Sequence, residues 1–488
     1  MEFLPSLEKV KELSLTDKYN VVPVSLEILS DFITPIEAMR KLKSVSNHCY
    51  MLESAKADET WGRYTFLGYS PKLAITLKDY VMTIGDESFD TSDPSSILRE
   101  ILSGYKSPRF DYLPSFTGGL VGYFSFDYFG YCEPTAKVPV EDNDAFKDLD
   151  LMLFDKVIAF DNVKQKIVLI VNMPLENIEK EYKRATCELT SMKELLLNGK
   201  KNVEEKGKLL GDVTALFSKE KYCEMVEKGK KHIKEGDIFQ IVLSNRLSAP
   251  FKGSLFDTYR MLRTINPSPY MFYFSGTDVE VAGASPETLV KLEDGVLHTF
   301  PLAGTRKRGE TESEDKALEE ELLADEKELA EHNMLVDLGR NDLGKISEFG
   351  SVQVESLHDV VRYSHVMHIG STVRGNIRKE FDAIDAINAV LPAGTLSGAP
   401  KIKACKLIGE LENNKRGIYG GAVGYIDFTG NMDTCIAIRI VYKKNGTVFV
   451  RSGAGIVADS DPEKEYQECL NKAKASLRAL EKSQEVEE

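Results

Sequence analysis

Apolar and polar residues alternate with period two in short runs along most of the chain, interrupted by fewer, longer stretches with helical spacing. Alternation puts every second side chain on one face of a strand, whereas recurrence every three to four residues marks one stripe of a helix. Strands are predicted on this basis at 23–29, 48–53, 64–68, 72–84, 116–124, 151–159 and 165–172. Further strands are predicted at 238–244, 267–274, 279–284, 288–292 paired with 296–300, 360–374, 421–427, 434–442 and 447–456. Helices are predicted at 34–42, 94–102, 175–197, 219–235, 254–266, 325–338 and 383–390, with a last one starting near 461. The runs 151–159 and 165–172 read as a hairpin across Asp161-Asn162, and Asn445-Gly446 is the strongest hairpin signal in the chain. Consecutive strands with helices gathered around them indicate an α+β fold with large antiparallel sheets. Residues 198–209, rich in Lys, Glu and Gly, are the best linker candidate. They separate regions 1–200 and 212–482, whose strands are expected to interleave.

The run 325–338 stands apart. It contains no Gly or Pro, and Ala330, Met334 and Leu338 form an apolar stripe at helical spacing. Glu328 and Glu331 project together from the adjoining face, with Leu335 between them on the helical wheel and Leu329 further round. A helix apolar on most of its circumference is usually buried, and buried carboxylates need partners. Near the C-terminus the pattern recurs in Glu465 and Glu468, with Lys472 one turn later. Ser460 or Asp461 suits an N-cap and Pro462 the first turn, which sets Glu465 in the first turn of its helix. Two such pairs could hold one hard divalent cation, Mg2+ with waters and a substrate oxygen. Spacing alone favours the plainer alternative of two solvated acidic faces.

Composition narrows the partners. The formal charge is -15 with no polybasic run, which argues against nucleic acid and anionic membrane. No run approaches the ~20 apolar residues of a membrane span, and residues 1–12 lack a secretory apolar core. Seven scattered cysteines without a Cys-x-x-Cys pair argue for a reducing, cytoplasmic setting. The Gly-rich run 116–124 lacks dinucleotide spacing and reads as close backbone packing. Gly394 to Gly398 is too short for a phosphate loop, although its backbone and the Thr395 hydroxyl could meet an anion. On the strand 434–442, Arg439 would share a face with Cys435, Ala437 and Val441, as a carboxylate clamp or a structural ion pair. A lone His368 in a β run is more often a satisfied core group. Glu287 is a strand-end surface residue or, beside an apolar ring, a general acid with a raised pKa.

Together these stretches resemble the chorismate-utilising enzymes, most closely the component I subunits of anthranilate synthases. The resemblance covers most of the chain and is densest from Gly236 to Lys474. It rests on GDIFQIVLS (236–244), NPSPYMFYF (266–274), GASPET (283–288), PLAGTRKRG (301–309), DEKELAEHNMLVDLGRNDLG (325–344), YSHVMH (363–368), LPAGTLSGAPK (391–401), RGIYGGAVGY (416–425) and RSGAGIVADSDPEKEYQECLNKAKA (451–475). It implies two large antiparallel sheets in an α/β/β/α sandwich and conversion of chorismate plus ammonia to anthranilate and pyruvate. It implies Mg2+ on Glu328, Glu331, Glu465 and Glu468. Glu287, His368 and Thr395 match catalytic positions. Gly304, Thr305, Tyr419, Arg439, Gly453, Ala454, Gly455 and Lys472 match substrate contacts. Relatives that make aminodeoxychorismate usually carry Lys where Ala303 stands, and isochorismate synthases carry Lys where Gln240 stands. Neither Lys is present, which favours anthranilate formation over aminodeoxychorismate.

The resemblance also implies a tryptophan feedback site in the N-terminal region, built from Glu53, Ser54, Pro269, Tyr270, Met271, Val423, Tyr425 and Cys435. A non-catalytic tryptophan-binding regulator of the same fold is the alternative from another class. No Gly-x-Cys-x-Gly glutaminase motif occurs, so ammonia would come from solution or from a glutamine amidotransferase subunit, component II, in a hetero-oligomer.

Overall fold

A computed structural model describes residues 2–55, 62–202, 204–362 and 366–486. Among them, 14 strands form one sheet and 12 form a second. In the first sheet, Val21–Leu29, Lys166–Pro174, Lys156–Asp161, Tyr64–Tyr69 and Cys49–Glu53 run in that order. They continue into Tyr270–Ser275, Glu280–Ser285, Ile440–Lys444, Thr447–Ile456 and Gln240–Lys252. The two stretches of chain meet where Cys49–Glu53 pairs antiparallel with Tyr270–Ser275. The second sheet joins them again, through Gly119–Phe124 against Ala422–Asp427.

An apolar core containing Phe116, Leu151, Phe272, Tyr425 and Ile436 lies between the sheets. A second core on the outer face of the first sheet buries the apolar stripes of helices Pro35–Leu42, Ile178–Asn198, Phe256–Ile265 and Pro462–Ser483. Helices Pro94–Ser103, Glu326–Gly344 and Ala383–Val390 contribute Leu98, Val336 and Ile387 to the core at the second sheet. The α+β sandwich of two antiparallel sheets is therefore present, and no helix of the described residues is long and apolar enough to cross a membrane.

Several runs differ from expectation, and the run 72–84 is a hairpin of Leu73–Lys78 with Val81–Ile84. The run 151–159 is two strands in different sheets, Leu149–Phe154 and Lys156–Asp161, switching at Asp155. The run 434–442 splits likewise into Met432–Ile436 and Ile440–Lys444. Its crossover ends at Arg439, whose φ of 53° is left-handed, so the expected face shared by Cys435, Ala437, Arg439 and Val441 does not exist. The run 360–374 is a hairpin, Gln353–Arg362 with Val366–Asn376, and residues 363–365, including His365, fall outside the described set. Finally, the acidic helix runs Glu326–Gly344 and follows an unpredicted helix, Glu312–Ala324, capped by Thr311. Its buried side is His332, Leu335, Val336 and Leu343, whereas Ala330 is exposed and Met334 and Leu338 are half-buried.

The Gly-rich run behaves as expected from close packing. A Cβ on Gly122 would overlap the Asp150 carbonyl oxygen on the neighbouring strand, and one on Gly119 would overlap that of Ile426. Backbone occupies that space on both sides and cannot yield. Gly122→Ala should therefore cost more than about 4 kcal/mol, the range of severe packing lesions, read as a lost or collapsed thermal transition.

Candidate active site

A cavity of about 780 Å³ opens where the chain passes from one sheet to the other. Glu287 lies on the crossover between Glu280–Ser285 of the first sheet and Thr288–Glu293 of the second. Arg439 lies on the adjacent crossover, between Met432–Ile436 and Ile440–Lys444. The two crossovers are laced together. Ile436 N donates to Glu287 O at 3.0 Å, Ala284 N to Arg439 O at 3.2 Å, and Ser285 Oγ to Ile436 O at 2.6 Å.

Glu287 opens partly onto the cavity and accepts a hydrogen bond from Thr395 Oγ1 at 3.1 Å. Burial pushes its carboxyl up to about 7, against the opposing pull of Thr395 and the Lys472 ammonium. His368 Nδ1 lies 2.7 Å from Gly304 O and 3.1 Å from Thr305 Oγ1. A carbonyl only accepts, so Nδ1 carries the hydrogen and Nε2 keeps a lone pair. Burial, helped by the Arg439 charge, lowers the His368 pKa and keeps the ring neutral. Gly304 is offered to His368 by a register shift between Ala303 and Arg306, at a φ of 65° that favours glycine.

Tyr419 and Arg439 share another wall, and among the described residues no carboxylate pairs with Arg439. Gly453 and Gly455 face the cavity from the strand Thr447–Ile456, with Arg451 two residues earlier on the same face. Ala454 does not: its methyl points to the opposite side and packs with Tyr222 and Leu243. Sequence reasoning missed Arg451 although period-two alternation with the two glycines was the signal for it. It also missed Arg306, whose guanidinium meets Asp325 at 2.9 Å and Glu328 at 3.5 Å.

Glu328, Glu331, Glu465 and Glu468 all line this cavity, together with Lys327 and Lys472. Asp325 caps the acidic helix and Asp461 the last one, so Glu328 and Glu465 both stand in first turns. Burial and the neighbouring Glu328 raise the Glu331 carboxyl; burial and Glu468 raise that of Glu465. Like charge of this kind is what a bound cation relieves, and four hard oxygen donors fit Mg2+ in chemical kind. The set is open, however. The one trio of ligand atoms within 4.8 Å among the described residues is His232, Glu235 and Asp237, on the surface elsewhere. Resident cations hold one member of each pair, Lys472 on Glu468 at 2.7 Å and Arg306 on Glu328.

The expected tryptophan site is divided by the first sheet. Tyr270, Val423, Tyr425 and Cys435 belong to the core between the sheets. Met271 belongs to the core on the outer face, and Glu53 stands opposite it in register. There Arg263 donates to the Glu53 carboxylate at 2.5 and 3.1 Å, and the Tyr259 hydroxyl donates as well. Ser54 and Pro269 are half-buried at the ends of the same two strands. Tyr270 donates to Asp433 at 2.8 Å and lies 2.9 Å from the Thr288 hydroxyl.

Residues 47–478 match the family model described as chorismate binding enzyme. The chain is 44% identical to anthranilate synthase component 1 of Acetivibrio thermocellus, over 99% of this chain and 100% of that one. It is 45% identical to that of Aquifex aeolicus, over 99% of each. Among solved structures it is similar to anthranilate synthase component I from Streptococcus pneumoniae, with a TM-score of 0.76, 38% identity, and 92% and 98% of the two chains covered. The menaquinone-specific isochorismate synthase of Escherichia coli, 19% identical with a TM-score of 0.69, shares the fold. The chain belongs to the chorismate binding enzyme family, among its anthranilate synthase component 1 members.

Proposed function

We propose that this chain converts chorismate and ammonia to anthranilate and pyruvate, as the large subunit of an anthranilate synthase. The observation that carries the reading is Glu287, a carboxyl whose pKa is raised to about 7, in one cavity with two carboxylate pairs and with Arg439, which among the described residues has no carboxylate partner. Glu328, Glu331, Glu465 and Glu468 would hold Mg2+, which when bound supplies a Lewis acid for the ring carboxylate. Arg439 and Tyr419 would grip the enolpyruvyl carboxylate. Ammonia adds at ring C2, the ring double bonds shift, and the C4–O bond breaks as Glu287 gives its proton to the departing hydroxyl, releasing water, after which the ammonium formed at C2 returns one proton to the Glu287 carboxylate. His368 Nε2 then accepts the C2 proton while the C3–O bond breaks, leaving the aromatic amine and enolpyruvate, which becomes pyruvate. The Thr395 hydroxyl steadies Glu287 through both steps.

The acid must be protonated to act, so turnover should fall as pH rises through about 7. Gln240 and Ala303 at the cavity wall support an external amine nucleophile, because neither supplies the ammonium that the related reactions use. With chorismate, Mg2+ and ammonium, blue-fluorescent anthranilate should accumulate. Glutamine should serve as donor only once an amidotransferase partner is added. Accumulation of a non-aromatic amine would overturn the assignment. Tryptophan feedback belongs to the same proposal and is supported by the sequence match, with Tyr270, Val423, Tyr425 and Cys435 gathered in one core. Unchanged turnover in saturating tryptophan would remove it.

A further inference from the structure

Thr395 sits in the connection 391–400, whose regular structure is the short turn Gly394–Leu396 and the two-residue strand Gly398–Ala399. The loop is tied to the strand Gln240–Lys252 by Val242 N donating to Ser397 O at 3.0 Å and Phe239 N to Ala399 O at 2.7 Å. The strongest tie is a side chain. Arg416 is 2% exposed, and its Nη1 donates to Leu396 O at 2.6 Å while Nη2 donates to Val242 O at 2.7 Å. The same guanidinium gives Nε and Nη2 to the buried Glu412 carboxylate at 3.0 and 2.5 Å, and rests over the Phe126 ring at 4.6 Å. Glu412 in turn accepts from Ser244 N at 2.7 Å and from Arg451 Nη2 at 2.8 Å. Two guanidiniums keep this carboxylate ionised despite full burial.

We infer that Arg416, fixed by Glu412, is a positioning residue for the reaction: it clamps the Leu396 carbonyl to the Val242 carbonyl, and so holds the Thr395 hydroxyl on Glu287. The inference rests on the reading of Glu287 as the acid. The planar fork of Arg bonds two carbonyls and a carboxylate at once, in fixed directions; a Lys ammonium has three rotatable donors and no plane. Loss of the clamp frees the residue next to Thr395 while leaving every group that touches substrate in place.

The test is Arg416→Lys in the full chain, with anthranilate formation followed from pH 6 to 9. Besides the Thr395 hydroxyl, the ionisable groups that line the cavity around Glu287 are His368, Tyr419, Arg439, Arg451, Lys327, Lys472 and the carboxylates Glu328, Glu331, Glu465 and Glu468, with Asp342 on its other side, and none of them changes in this variant. Losing the Thr395 hydrogen bond favours the protonated carboxyl. The alkaline limb should therefore move up, by on the order of half a pH unit, with kcat down about tenfold and KM for chorismate within about twofold. Thr395→Val should move the limb equally, and Arg416→Lys added to it should move the limb no further. An unmoved limb, or a shift that adds to that of Thr395→Val, overturns the inference while the functional reading stands. A wild-type protein that makes no anthranilate overturns both. If Arg416→Lys fails to fold, Phe126→Leu, which removes only the supporting ring, should shift the limb the same way; an unmoved limb there overturns the clamp.

Discussion

Glu328→Gln is expected to cut anthranilate formation by about 10³-fold while leaving the melting temperature in the absence of Mg2+ unchanged or slightly raised. A Lewis acid contributes several kcal/mol of transition-state stabilisation, and each 1.36 kcal/mol is tenfold in rate. The amide keeps the shape of Glu328 and can still accept from Arg306, but it no longer offers a charged oxygen. What the carboxylate does for stability is small. It is half-buried, its salt-bridge contact with Arg306 is 3.5 Å long, and its charge raises the proton affinity of Glu331. Partly exposed pairs are worth about 0–1 kcal/mol, and removing a like charge offsets that loss. Activity and stability should thus separate, as they do where a site holds charge for function rather than for the fold.

Glu287→Gln should lower turnover by about 10²- to 10⁴-fold, the usual contribution of a positioned acid, and abolish the alkaline limb in what remains. Its effect on stability reverses with pH. The folded-state value of about 7 lies above the free carboxyl value of 4.5. The folded chain therefore binds more protons than the unfolded chain between those values, and the wild type loses stability as pH rises from 4.5 to about 7. Glutamine carries no such penalty. The variant should melt higher than the wild type at pH 8 and no higher at pH 4, which differential scanning at the two pH values measures.

Much of the fold was legible because strand and helix periods are local. Asp461 and Pro462 stand where the capping signals put them, and Asn445-Gly446 is the turn between Ile440–Lys444 and Thr447–Ile456. What was not legible is where the chain changes sheets. Both sheets are buried on two faces in their centres, so Leu149–Phe154 and Lys156–Asp161 read as one apolar run across Asp155. The same holds across Ala437 to Arg439, where only a left-handed φ marks the break. That blind spot matters for chemistry, because Glu287 and Arg439 come from two such crossovers. Their residue types were readable and their adjacency was not. Glu53 and Met271 fell on the far face of the sheet from Tyr270 for a simpler reason: motif matching gathers neighbours in sequence, whereas a strand sends alternate residues to opposite faces.

Carboxylates from the acidic helix and the last helix are proposed to serve a cation-dependent amination of chorismate beside Glu287. The decisive measurement strips the protein with a chelator, adds chorismate and ammonium, and follows anthranilate fluorescence as Mg2+ is returned. Fluorescence should be absent at first, rise saturably with Mg2+ in the wild type, and stay near baseline in Glu328→Gln at the same concentrations. Equal fluorescence with and without Mg2+, or near-normal turnover by Glu328→Gln, would rule out a cation held by these carboxylates.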